Sequence, residues 1–272
     1  MALTAKVHIR TALRNGKTIL QNAYSSSPFK LADITEDRSR NEMKLMLMSS
    51  SPGMLDADDY SFDIDVAKGC HLKVQTQSYQ RLFQMKTGAV QSMMVAVAEG
   101  GSFTFLPHPA VPHKGSIFTS RNKIFLEDNC TLVWGEVISC GRHLNDEVFQ
   151  FSSYHAITEI FLEGKLVVKE NLLLKPANMQ LNAIGHLEGF THQATLLYIN
   201  ESAVIESLLS LLDSDLQVAK DICFGISTLP VNGLVVRILG RSAEQLFVLL
   251  NRSSALIVQL HKTKLVKQAV YV

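Results

Sequence analysis

The sequence predicts a large, all-β-dominated fold with about two α-helices in the C-terminal third. Three observations carry this expectation. Apolar residues alternate over short segments through most of the chain. Gly, Asn, Asp and Pro interrupt those segments every 8–12 residues, the rhythm of a large β domain. Helical apolar spacing appears only after position 200. At 272 residues and 47% hydrophobic, the chain can bury a full core. No linker is long enough to demand a boundary, so one domain over 1–272 is expected.

The elements follow in order. Leu3, Ala5, Val7 and Ile9 alternate, and the run breaks at Asn15-Gly16, a hairpin turn. The Ser-rich segment Tyr24–Phe29 is a loop. Glu42–Ser49, rich in methionine, is a buried strand or a short helix, closed by Ser51-Pro52-Gly53. Tyr60–Val66 alternates cleanly, with Phe62, Ile64 and Val66 on one face and Asp63 and Asp65 on the solvent face. Lys68-Gly69 turns into His71–Ser78. Met93–Ala98, Ser102–Leu106, Ser116–Leu126 and Thr131–Ser139 are strands, with a proline-rich loop at Pro107–Pro112. Phe149–Leu162 is a long strand that turns at Glu163-Gly164 and returns as Lys165–Leu174. Ser202–Leu212 has helical spacing, Gly233–Leu239 is a strand, and Ser242 is the N-cap of the longest helix, about Ser242–Gln259.

Composition excludes several function classes. With 26 basic and 25 acidic residues the net charge is +1, so no electrostatic footprint for nucleic acid exists. Near-neutrality also favours association, and an oligomeric complex is expected. Cys70, Cys130, Cys140 and Cys223 form no C-x-x-C pair, the pattern of reduced thiols in a cytoplasmic protein. The N-terminus lacks a signal-peptide core, and no apolar run is long enough for a membrane span. Phosphate-binding, dinucleotide-binding, nucleophile-elbow and zincin motifs are missing. The chain therefore does not read as an enzyme.

Four groups of residues could carry chemistry. Asp56-Ala57-Asp58-Asp59 is a carboxylate cluster suited to hard cations but without EF-hand spacing; a solvated Asp-rich turn is the simpler reading. His108 and His113 lie in the proline-rich loop, with His71, His143 and His155 elsewhere, and imidazole suits nickel or zinc. A polar loop or satisfied core role is commoner for any one of them. Thr76-Gln77-Ser78 ends a strand with three uncharged polar groups, which would line a watery passage or close an edge. Glu136, beside the only tryptophan, Trp134, lies inside an apolar run. A carboxylate there is costly unless it pairs or ligates. Either it forms a buried ion pair with Arg142 or it belongs to a functional interior.

Four ordered stretches resemble the urease accessory protein UreD/UreH family, UreH being its form in Helicobacter-type bacteria. Ser27-Pro28-Phe29-Lys30-Leu31 is similar to the family's early Pro-Phe-Lys loop. Ser51-Pro52-Gly53-Met54 with Asp58 is similar to its Pro-Gly turn, although Ala57 stands where the family has Gly before Asp. Thr76-Gln77-Ser78 resembles the segment that reads Thr-Ser-Gln-Ser in the Helicobacter type. Trp134–Arg142, followed by Glu147 and Phe149, resembles the Gly/Ser-Glu-Ile-x-x-x-Gly-Arg signature. The order holds over roughly residues 3–240, except that Pro107-His108-Pro109 replaces a Pro-Gln-Glu segment. The resemblance implies a non-enzymatic, β-rich scaffold and chaperone, built of large stacked mixed β-sheets with few helices. It implies binding to UreF, through it to the GTPase UreG, and docking on apo-urease to deliver nickel through an interior channel. No tightly bound cofactor is implied, only nickel in transit. Glu136 is then the residue expected near the path, with Asp58 as a second metal-facing candidate and Thr76, Gln77 and Ser78 as channel lining. A β-rich small-ligand-binding module and a metal-dependent hydrolase are the alternatives.

Overall fold

Alternating apolar positions can bury one face only if two sheets stack or a helix covers them, and this chain does both. The computed structural model describes residues 3–270, with side chains described through residue 260. The strands are Thr4–Arg14 (β1), Lys17–Ser25 (β2), Phe29–Asp33 (β3), Met43–Ser49 (β4), Asp59–Val66 (β5), His71–Thr76 (β6) and Gln80–Leu82 (β7). They continue as Ala89–Val97 (β8), Ser102–Phe105 (β9), Ala110–Pro112 (β10), Ile117–Leu126 (β11), Thr131–Ile138 (β12), Ser153–Leu162 (β13), Lys165–Leu174 (β14) and His192–Asn200 (β15). Helix Ile205–Gln217 (α1), strands Cys223–Thr228 (β16) and Gly233–Gly240 (β17), and helix Ala243–Val270 (α2) complete the fold.

Seven strands form one sheet in the order β14-β13-β11-β8-β5-β1-β2. Ten form the other, β16-β17-β15-β12-β9-β6-β4-β3 with β10 and β7 beside β12. From β5 to β13 the chain passes between the two sheets at nearly every turn. Neighbours within each sheet are consequently parallel: β5 with β8, β8 with β11, β11 with β13, and β6 with β9, β9 with β12. Two Asn/Glu-Gly turns do make hairpins, at Asn15-Gly16 and Glu163-Gly164, and all four residues have positive φ. Similar turns at Lys68-Gly69, Gly100-Gly101 and Asp128-Asn129 instead carry the chain from one sheet to the other. Turn chemistry marks where a strand stops. It does not say which neighbour the next strand finds.

The molecule has three layers. Between the sheets lies the main core, built from Val7, Phe62, Val95, Ile124 and Ile160 on one side and Leu45, Leu72, Phe103, Leu132 and Trp134 on the other. The opposite face of the ten-stranded sheet is covered by α1 and α2 through Leu208, Leu212, Leu246, Leu249 and Leu250. Ser242 caps α2 as expected, its Oγ accepting the Gln245 N–H at 3.3 Å. The expectation for Glu42–Ser49 resolves to a strand, β4. The proline-rich loop contains a short strand, β10, which pairs with β7 and β12. Sequence periodicity misses β15 because both its faces are covered, so it runs His-Gln-Ala-Thr-Leu-Leu-Tyr-Ile-Asn with little alternation.

Candidate functional site

The site is built on β12, in the middle of the ten-stranded sheet. Leu132, Trp134, Glu136 and Ile138 share the phase that faces the other sheet, while Val133 and Val137 face the helices. Glu136 therefore occupies a position that would otherwise be core. Gly135 beside it has a packing reason: a Cβ there would meet Leu106 Cδ2 at 2.5 Å and Leu250 of α2 at 3.4 Å.

Three donors converge on a single oxygen of Glu136. Trp134 Nε1–H donates to Oε1 at 2.9 Å, the Thr158 hydroxyl at 3.1 Å and Asn122 Nδ2 at 3.3 Å. Asn122 also donates to Thr158 Oγ1 at 3.0 Å. Asn122 and Thr158 are register partners on β11 and β13 of the seven-stranded sheet. The node thus ties the two sheets through polar groups. Among the described residues none donates to Oε2. Burial pushes the Glu136 carboxyl above its ordinary value; the Trp134 and Thr158 hydrogen bonds oppose that, and Glu170 adds repulsion.

Glu136 borders two cavities. The larger, about 300 Å³, is lined by Glu136 together with Thr76, Gln77, Ser78 and His108. The smaller, about 30 Å³, continues from Glu136 and Thr158 to Glu170 and Gln193. Glu170 in turn pairs with Arg237 at 2.6 Å. Although Glu136 is enclosed by protein, it is only half-buried by area, because it touches the larger cavity. The wall of that cavity is held by α2. Thr76 Oγ1 accepts the His108 backbone N–H at 2.8 Å, His108 stacks on Phe247 with ring centroids 4.5 Å apart, and Tyr79 donates to Glu244 at 2.7 Å. Desolvation holds the His108 imidazole below its usual range, against the raising effects of Thr76 and Glu244.

The structure corrects the expected partner of Arg142. Its guanidinium bonds Glu147, with Nε 2.8 Å from Oε2 and Nη2 on Oε1, and both lie on the surface loop after β12. Gly141, at φ +125°, turns the chain outward before Arg142. A Cβ at Gly141 would sit 2.5 Å from the Glu147 carbonyl oxygen. The Glu136–Arg142 bridge does not form. The Arg142 hydrogen bond, the largest cause, helps hold the Glu147 carboxyl down at about 2.

Asp58 is not the solvated turn residue its surroundings suggest. It is 2% exposed. Its Oδ1 accepts the Leu3 N–H at 3.1 Å, and its Oδ2 accepts the Leu55 N–H at 2.8 Å and the Tyr60 hydroxyl at 2.9 Å. It clasps the start of the chain to β5 and fixes Tyr60, which lines the larger cavity. Asp58 itself lines neither cavity. The turn before it explains an irregularity in the sequence: Ala57 has φ +65°, a conformation suited to glycine.

Sequence reasoning missed Asn122, Thr158 and Ser120. A signal was present. In β11 the inward phase reads Phe118, Ser120, Asn122, Ile124 and Leu126, two polar residues inside an apolar series. Such an interruption marks a polar interior.

Comparison with known proteins matches the same signature. A family model described as UreD urease accessory protein matches residues 3–270. That match continues through α2, beyond the roughly 240 positions over which motifs are legible. A protein of Flavobacterium johnsoniae named urease accessory protein UreD is 46% identical over 243 residues, covering 89% of this chain and 88% of that one. One of Acetivibrio thermocellus with the same name is 35% identical over 243 residues, 89% and 92% of the two chains. One of Haemophilus influenzae strain PittGG, again so named, is 35% identical over 268 residues, 94% and 99% of the two chains. With nearly its whole length matched, this chain belongs to the UreD urease accessory protein family.

Proposed function

We propose that this protein is a non-catalytic scaffold of urease maturation that binds a UreF homologue, and through it the GTPase UreG. It docks on apo-urease and passes nickel along its interior past Glu136. The observation that carries this reading is the placement of Glu136 between two cavities, with three donors on Oε1 and none of the described residues donating to Oε2. Family membership and the accessory-protein names of its relatives support the maturation role.

The chemistry suits transit rather than storage. A divalent ion at Oε2 would replace the proton that burial favours on this carboxyl. Hydroxyl, amide and carboxylate oxygens along Thr76–Ser78 and Glu136 hold Ni²⁺ less tightly than a His/Cys cage, so an ion could leave as well as enter. Asp58, its oxygens taken by protein donors, serves this reading by fixing Tyr60 at the cavity wall. Nickel is cargo here, and the scaffold keeps no tightly bound cofactor. The cytoplasm is the expected compartment, in keeping with free Cys70, Cys130, Cys140 and Cys223. No helix among the described residues is long and apolar enough to cross a membrane.

The test is Glu136→Gln, which keeps the size and the Oε1 acceptor. Urease activation by the variant should slow by about tenfold or more, on the scale of losing a metal-orienting group, while co-purification with the UreF homologue is unchanged. Unaltered activation would overturn the transit role. Loss of folding or of UreF binding would assign Glu136 a structural role instead. The larger cavity also reaches the lower end of small-ligand sites, so a metabolite retained by the purified protein would favour a binding module.

A further inference from the structure

The outer face of the seven-stranded sheet lies opposite the helices, which pack on the other sheet. Three potential ligands converge there. His8 on β1 and Asp63 on β5 are register partners across a parallel pair, and Arg10 and Asp65 are the next outward-facing pair. His8 Nδ1 lies 3.3 Å from Asp63 Oδ2. One ligand atom each from His8, Asp63 and Asp65 fall within 4.8 Å of one another. We propose that His8, Asp63 and Asp65 form a surface site for a divalent transition-metal ion such as Zn²⁺ or Ni²⁺.

The geometry and the donor set both favour this. Bonds of about 2.1 Å place neighbouring ligands of one ion about 3 Å apart, so the observed spacing needs only small side-chain rotations. One imidazole with two carboxylates suits a borderline ion better than Mg²⁺ or Ca²⁺, which prefer oxygen alone. The three residues stand on paired strands, so their backbone positions are fixed before an ion arrives. Arg10 Nε holds Asp65 Oδ2 at 2.8 Å and orients that carboxylate from the side, as an outer-shell partner does. Asp63 and Asp65 keep 57% and 39% of their side-chain surface, so the ion's outward positions stay open to water or a partner's ligand. Beside Asp65 and Arg10 an open groove of about 470 Å³ gives such a ligand room. The site is separate from the interior cavities and stands whether or not nickel passes Glu136.

The test is calorimetric titration of the full chain with Zn²⁺ and, separately, Ni²⁺, alongside His8→Ala, Asp63→Asn and Glu136→Gln. One binding event in the parent should weaken by about tenfold or more in His8→Ala and in Asp63→Asn. The same event should persist in Glu136→Gln, which separates it from the interior path. Melting curves without metal check that each variant folds. Asp63→Asn, isosteric and exposed, carries the test if His8→Ala melts early. A parent that binds neither ion, or an Asp63→Asn variant whose isotherm matches the parent's, would overturn the proposal.

Discussion

Glu136 illustrates how one residue's chemistry is set by its neighbours. On a solvated strand a glutamate is an unremarkable anion. On the inward phase of β12 its charge is costly, and three neutral donors on Oε1 offset that cost only in part. Arg142 pairs with Glu147 instead, so no counter-charge from that residue offsets the burial of the Glu136 carboxyl. Ala57 shows the opposite situation, a residue whose side chain does nothing and whose backbone carries strain. At φ +65° a non-glycine residue costs about 1–2 kcal/mol, and the extra chain entropy of glycine returns about 0.5–1 kcal/mol of that. Ala57→Gly should therefore stabilise the protein by about 0.5–1 kcal/mol in urea unfolding, and a destabilised variant would show the turn is not strained.

At the level of elements, α2 links the fold to the site. Its buried stripe of Leu246, Leu249, Leu250 and Ile257 covers β12 and its neighbours, and Phe247 and Glu244 hold His108 and Tyr79 at the cavity wall. Leu250 packs where Gly135 leaves space beside Glu136. Leu250→Ala should cost about 2–5 kcal/mol in chemical denaturation. A loss under about 1 kcal/mol would mean that the helix closes over the gap. Ser242, with its capping hydroxyl, and the apolar run after it make this helix legible from sequence alone. Its docking partner is not legible, because an amphipathic stripe names no particular sheet.

For the whole molecule, Glu136 and Glu147, whose shifts are opposed, set opposite pH limits. Glu136 has a raised folded-state value, so its contribution to stability is full at low pH and is lost as pH rises through that value. Glu147, held down at about 2, contributes above the ordinary glutamate range and loses that contribution as pH falls towards 2; its partner Arg142 is solvent-exposed, which keeps the effect small. Glu136→Gln should accordingly melt higher than the parent at pH 8 and show a smaller advantage at pH 4.5. A melting difference that does not change with pH would show that Glu136 is not the group responsible.

Many of the strands, the turn positions, the cap of α2 and the family signature around Trp134 and Glu136 are legible in the residue pattern alone. These are local matters: alternation, positive-φ residues and a hydroxyl before an apolar run act within a few residues. The parallel pairing within each sheet, the two-faced burial of β15, the partner of Arg142 and the clasp at Asp58 arise from long-range packing. It also brought His8 beside Asp63 across 55 positions of chain and Asn122 and Thr158 onto Glu136. The reason is physical: which sheet receives the next strand depends on how both sheets bury their faces together, and that balance is struck over the whole molecule rather than within any one segment.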